Sequence, residues 1–311
     1  MPTTNPLGFD NYSLRALGWN ADQLLDHAVR QQFDYLFLSD LNVFPDRSDG
    51  ALQAFRRRAE AAGVGLHVGT LSVCPGSVLF NPAAGTAADQ LRETVRVAAA
   101  VGSPIARCVL GRVDDRFSEG GIAARIEETL DVINSVRSTA EDVGVRIAVE
   151  NHSGDLTAAE LKELIAVAGP ATVGAVYDLG NTFWALEDPL DALELLAPHV
   201  VSTGIRDGML WRDGDRATLQ WTAVGDGLTD WDRFRRRFGE LCPGVPLMIE
   251  TISGRPNPLP GRPEDYPAPF LRLLDRGAAL APGPHADATY QQQQLERSHA
   301  FLRRHLRPGS F

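Results

Sequence analysis

Cysteine is scarce in this chain. Its three thiols, Cys74, Cys108 and Cys242, are odd in number and widely spaced, which argues against a disulfide framework, offers no zinc-ligand pattern and fits a reducing cytoplasm. Cys108 lies in an apolar run and reads as core rather than as a catalytic thiol. Positive charge is short as well: a formal net charge of −10 and a pI near 5.2 leave no electrostatic footprint for nucleic acid. The clusters Arg56-Arg57-Arg58 and Arg235-Arg236-Arg237 sit in helical patterns with acids nearby and read as solvated faces. Long apolar runs are missing, none approaching the ~20 residues a membrane helix needs. The first residues show no basic region followed by an apolar core, so no signal peptide is expected. What is present is an ordinary globular composition, 44% hydrophobic and 23% charged, over 311 residues. That length fits one α/β barrel of the ~250-residue kind with insertions.

Apolar runs alternate with amphipathic stretches, the pattern of repeated βα units. The spacing predicts strands at 7–10, 35–39, 65–70, 105–110, 146–150, 173–178, 200–206 and 246–250. Helices are predicted at 21–32, 51–62, 87–101, 121–143, 157–168, 188–196, 230–240 and 268–276. Asn20 and Thr157 stand at helix starts, the latter with Glu160 three residues on, as a capping box requires. Gly63, Gly102, Gly144 and Gly169 stand at helix ends. Eight pairs in one chain point to a closed (β/α)8 TIM barrel over residues 1–285. Residues 286–311 then form a C-terminal helical extension, packed on the barrel or on a neighbouring subunit. Two long connections, 207–229 and 251–267, read as lids or binding loops. Trp211 and Trp221 in the first would either stack on a sugar ring or anchor the loop.

The chemistry concentrates where strands end. Glu150, Asp178 and Glu250 each terminate a short apolar run that reads as a buried parallel strand. A carboxylate there is costly to desolvate unless a cation meets it. One such residue would be read as opening a loop and pairing with a local arginine; three in the same relative position point to one divalent metal. Other polar residues fall at the same barrel end: Asp10 and Asn11, Ser39, Arg107, Asn151 and His152, Asn181, Arg206 and Asp207, and Thr251.

The segments Val149-Glu150-Asn151-His152, Tyr177-Asp178-Leu179-Gly180-Asn181, Gly204-Ile205-Arg206-Asp207, Gly225-Asp226-Gly227 and Ile249-Glu250 come in an order and spacing that resemble the sugar phosphate isomerase/epimerase group of xylose isomerase-like barrels. The likeness runs from about residue 7 to residue 250. It implies that Glu150, Asp178 and Glu250 bind a divalent metal (manganese first, with magnesium, cobalt and zinc as alternatives), while the two glutamates flank the substrate and move protons. His152, Asn181, Arg206, Asn11 and Arg107 are the expected substrate contacts. One departure stands out. The family commonly ends its seventh strand in His-x-Lys-Asp, the histidine being the fourth ligand, and here Gly204 takes its place. Water, a replacement side chain (His152 or Gln220 are the candidates), or loss of the metal would each account for it. Arg206 stands where the family has lysine, and its planar fork suits a carboxylate or phosphate.

A metal-bound carbonyl acidifies the proton on the neighbouring carbon, and carboxylates on either face remove and return it. Return to the same carbon is epimerisation and return to the next is isomerisation; loss of a β-leaving group or of a carboxylate makes the enzyme a lyase. The expected partner is therefore a small sugar or sugar acid, with neither nucleic acid nor membrane, and with a homo-oligomer as the expected assembly. A non-catalytic carbohydrate-binding or partner-subunit barrel is the rival from another class. A metal-dependent nuclease of the same superfamily needs more histidine ligands and a basic face.

Overall fold

The computed structural model describes residues 5–252, 255–281 and 287–305. Eight parallel strands follow one another around a barrel: β1 (Leu7–Asp10), β2 (Tyr35–Leu38), β3 (Gly65–Ser72), β4 (Ile105–Val109), β5 (Arg146–Glu150), β6 (Val173–Asp178), β7 (Val200–Gly204) and β10 (Leu247–Ile249). β10 pairs with β1 at Leu7↔Leu247. The remaining seam, between β7 and β10, is closed by the parallel bridge Ile205↔Ile249, where Ile205 N donates to Met248 O and Glu250 N to Ile205 O. The chain is thus a TIM barrel, with every expected strand present to within two residues at either end.

Helices cover the strands, beginning with α1 (Ala21–Arg30), α2 (Asp49–Ala62), α3 (Ala87–Val101), α4 (Gly121–Asp142) and α5 (Ala158–Ala168). They continue with α6 (Asn181–Trp184), α7 (Pro189–Leu196), α8 (Trp231–Leu241) and α9 (Ala268–Leu274). The expected caps operate: Asn20 and Thr157 both form capping boxes, and Gly63 and Gly102 end their helices in the left-handed conformation that only glycine adopts freely. One apolar layer lies between strands and helices. A second, smaller one fills the barrel, where Phe37, Ile105, Ala148, Val176 and Met248 meet. Among the described residues no helix is long and apolar enough to cross a membrane.

The structure corrects the two long connections. Residues 207–229 are mostly a β-hairpin, β8 (Asp207–Asp213) against β9 (Arg216–Thr222), turning on Gly214-Asp215 with Gly214 at φ +63°. β11 (Pro256–Pro258), from the second connection, adds antiparallel to β9. A Gly-Asp pair between two alternating segments is a hairpin signal. Trp221 is a buried anchor of this sheet, 4% exposed, against Phe183. The terminal helix α10 (Ala288–His305) lies against the barrel: Gln291 Oε1 accepts from Ala16 N, and Ser298 Oγ from Val224 N. Residues 286 and 306–311 of the expected extension lie outside the described residues.

Candidate active site

Register brings the three acids together. Glu150 ends β5 opposite Val109 and Val176, Asp178 ends β6 opposite Gly204, and Glu250 follows β10 directly. All three are buried, and one carboxylate oxygen from each lies within 4.8 Å of the others. As a donor set this triad could hold a metal ion, and its oxygen-only chemistry suits manganese or magnesium.

The space between the acids is not free. Arg206, on the turn after β7, sends its guanidinium into it: Nη2 stands 2.6 Å from Asp178 Oδ2, 2.7 Å from Glu250 Oε2 and 3.9 Å from Glu150 Oε1. Arg107 on β4 also meets the triad, with Nε 2.7 Å from Glu150 Oε2 and Nη1 donating to Thr70 O. Burial works against both guanidinium charges, yet the surrounding carboxylates outweigh it and hold each above its ordinary pKa. For Asp178, burial drives the carboxyl upward while Arg206 opposes it. Asp10, at the end of β1, is pushed up to about 7 by burial and by Glu250; it accepts from Ser39 Oγ and Tyr12 N.

Two glycines admit this arrangement. A β-carbon at Gly204 would collide with the Asp178 carboxylate, so the residue that replaces the family histidine is also what lets Asp178 lean towards β7. At Gly180 a β-carbon would come within 2.7 Å of both Arg206 Cβ and the Trp221 ring. The guanidinium carbon of Arg206 lies 5.4 Å from the Trp221 ring centroid, within cation–π range. Sequence reading had not connected Gly180 and Trp221 with the site.

The other expected contacts are placed as follows. Asn181 Nδ2 donates to Glu150 Oε1 at 3.3 Å, and its backbone N to Asp178 Oδ1, while its own Oδ1 is buried without a partner. Asn151 exchanges two bonds with the Asp178 backbone and fixes β5 against β6. His152 donates from Nδ1 to Gly111 O, and burial lowers its pKa. Asn11 is tied through Oδ1 to Ser39 N. Gln220 lies on the hairpin, its Nε2 donating to Ala281 O. Asp207 does not pair with Arg206; it turns away to accept from Gly225, Gly227 and Thr229 N and from Trp231 Nε1, so the Gly-Asp-Gly segment wraps a structural carboxylate. A cavity of about 230 Å³ opens among the loops after β4, β5, β6 and β10, bordered by Phe117, Trp184 and Arg116.

A TIM barrel with acids converging at its C-terminal strand ends defines a class of enzyme-bearing folds, and the sequence places the chain within it: it belongs to the xylose isomerase-like TIM barrel family, whose model matches residues 17–272. Among curated proteins it is similar to 3-oxo-isoapionate decarboxylase of Pectobacterium atrosepticum, at 25% identity over 60% of each chain. The chain spans less than two thirds of the length of the curated relatives it matches. Among solved structures it resembles D-psicose 3-epimerase with D-tagatose from Clostridium cellulolyticum H10, with a TM-score of 0.66 and 13% identity over 97% of this chain and all of that one. The IolI protein with a bound zinc atom gives a TM-score of 0.65 and 14% identity, over 96% and 97% of the two chains. At such identities these structures speak to the fold.

Proposed function

We propose that the protein is a sugar-modifying enzyme that abstracts a proton α to the carbonyl of a sugar or keto-sugar. The observation that carries this reading is the convergence of Glu150 and Glu250 from β5 and β10 upon one buried cationic centre at the catalytic end of the barrel. Two carboxylates on separate strands, sharing a cation between them, are what removal and return of a proton require. Asn181 orients Glu150 through its Nδ2 hydrogen bond to Oε1. A bound divalent metal would supply Lewis acidity to the carbonyl oxygen. With Arg206 Nη2 between the acids and Gly204 offering no ligand, the residues as they stand do not fit one, and no step is assigned to it. A cytoplasmic location is the reading that three unpaired, buried cysteines support.

Loss of carbon dioxide from a keto-sugar acid is the second reading. The similarity to a decarboxylase, at 25% identity over 60% of each chain, favours it. Incubation with ketoses, ketose phosphates and keto-sugar acids in D2O, followed by proton NMR, tests both readings. Exchange or carbon dioxide release should appear with one substrate class and fall by about 10²–10⁴-fold in Glu150→Gln and in Glu250→Gln. Turnover unchanged in both variants would remove these residues from the chemistry.

A further inference from the structure

We propose that the Arg206 guanidinium is the resident cation of this site: it holds Asp178, Glu250 and Glu150 together in place of a metal ion, and the protein functions without one. Three features of the chain build that position. First, Nη2 lies within ion-pair distance of all three carboxylates, the place from which a single ion would serve them. A divalent ion coordinated to the same oxygens at about 2.1 Å would need the space this nitrogen holds. Second, the surroundings are shaped for the arginine. Gly180 makes room for its stem, Trp221 lies beside its charged head, and Gly204 leaves the space into which Asp178 leans to meet it. Third, the charges are close to balanced already. Arg206 and Arg107 bring two positive charges to three carboxylates, so a dication added beside them would face two buried guanidinium groups. Buried charges are screened little by salt, so that repulsion would be felt almost in full.

The inference also gives Arg206 a part in the chemistry, and this part rests on the function proposed above. Nη2 is committed to the acids, but Nε is buried with no partner. An unpaired charged donor in a dry site is costly, and a substrate oxygen that gains negative charge as the α-proton leaves would satisfy it. Asp178 then serves to hold the guanidinium, Glu150 and Glu250 keep their proton-transfer roles, and the electrophile is supplied by the chain itself.

The test uses the full chain, incubated with MnCl2, desalted and analysed for metal, beside thermal unfolding with and without MnCl2. The wild type should retain no stoichiometric manganese and show no shift in Tm. Arg206→Ala, which leaves three buried acids facing each other, should melt lower and recover on adding manganese, with binding at least about tenfold tighter than in the wild type. Stoichiometric metal in the wild type, or an equal manganese shift in both proteins, would overturn the proposal. If Arg206→Ala does not fold, Arg206→Lys keeps the charge and should remain metal-free, whereas tight manganese binding by that variant counts against the idea. Activity separates the two proposals. A metal-free protein that exchanges no substrate proton refutes the function and leaves the resident cation standing; exchange abolished by a chelator does the reverse.

Discussion

Two regions of this barrel bury carboxylates, and they do so by different means. At the hairpin base, Asp207 accepts from four backbone N–H groups and the Trp231 indole, and next to β5 Asp155 accepts from the backbone N–H groups of Gly111, His152 and Leu156. In the triad, Glu250 meets only Arg206 among the partners described, and Glu150 meets Arg107, Arg206 and Asn181 side chains. Backbone donors are fixed by the fold, so acids held by them are structural and cannot change partners. Side-chain cations can swing aside or share themselves with a substrate. The difference in partner type, more than burial itself, separates framework acids from those available for chemistry.

Removing the fixed partners should do the greatest damage to folding. Asp207→Asn sets an amide NH2 against N–H donors on one side and leaves several of them unpaired. At about 1–3 kcal/mol for each buried group left unsatisfied, the loss should reach about 3–5 kcal/mol in urea unfolding. A loss under about 1 kcal/mol would mean that these bonds are not specific to the carboxylate. Gly204→Ala probes the other region. Its β-carbon collides with Asp178, and the crowding should cost about 1–3 kcal/mol. Because Asp178 must retreat from Arg206, turnover should fall further than stability alone explains. Full turnover in a folded Gly204→Ala protein would show that the Asp178–Arg206 contact is dispensable.

Much of this was legible in the sequence, for a physical reason. Each strand of a TIM barrel repeats the same local rule, an apolar run ending in a functional residue, so Glu150, Asp178 and Glu250 could be read one strand at a time. Arg206 could be read as an anion-binding residue from its type and position. Its insertion between the acids could not, because it depends on what Gly180 and Gly204 lack and on Trp221 arriving from a hairpin that was itself missed. Glycine at 204 looked like a lost ligand. In the fold it is room for Asp178, a distinction that depends on contacts across strands. The Gly225-Asp226-Gly227 segment had the opposite fate: it matched a family pattern and suggested the site, while its backbone serves Asp207.

A test by pH sharpens the comparison most, because it asks whether a backbone-held acid is charged at all. Burial pushes the Asp155 carboxyl up to about 8, outweighing the three N–H groups that favour its ionised form. In the unfolded chain an aspartate titrates near 3.9, so between about pH 4 and pH 8 the folded state holds the extra proton. Stability from this residue is therefore fully present below the unfolded value and declines as pH rises, with a slope approaching about 1.4 kcal/mol per pH unit. Asp155→Asn removes the titration at the cost of a mismatched donor, about 1–3 kcal/mol at low pH. Other buried acids, Asp10 and Glu187 among them, titrate in the same range and are common to both proteins, so the difference between wild type and variant isolates Asp155. Urea unfolding at about pH 5 and about pH 8 should show the wild type losing up to about 4 kcal/mol relative to the variant as pH rises, enough to reverse their order. A gap that stays constant would mean Asp155 is ionised throughout, its three backbone donors having overcome burial, and would make it a closer relative of the triad acids than the comparison allows.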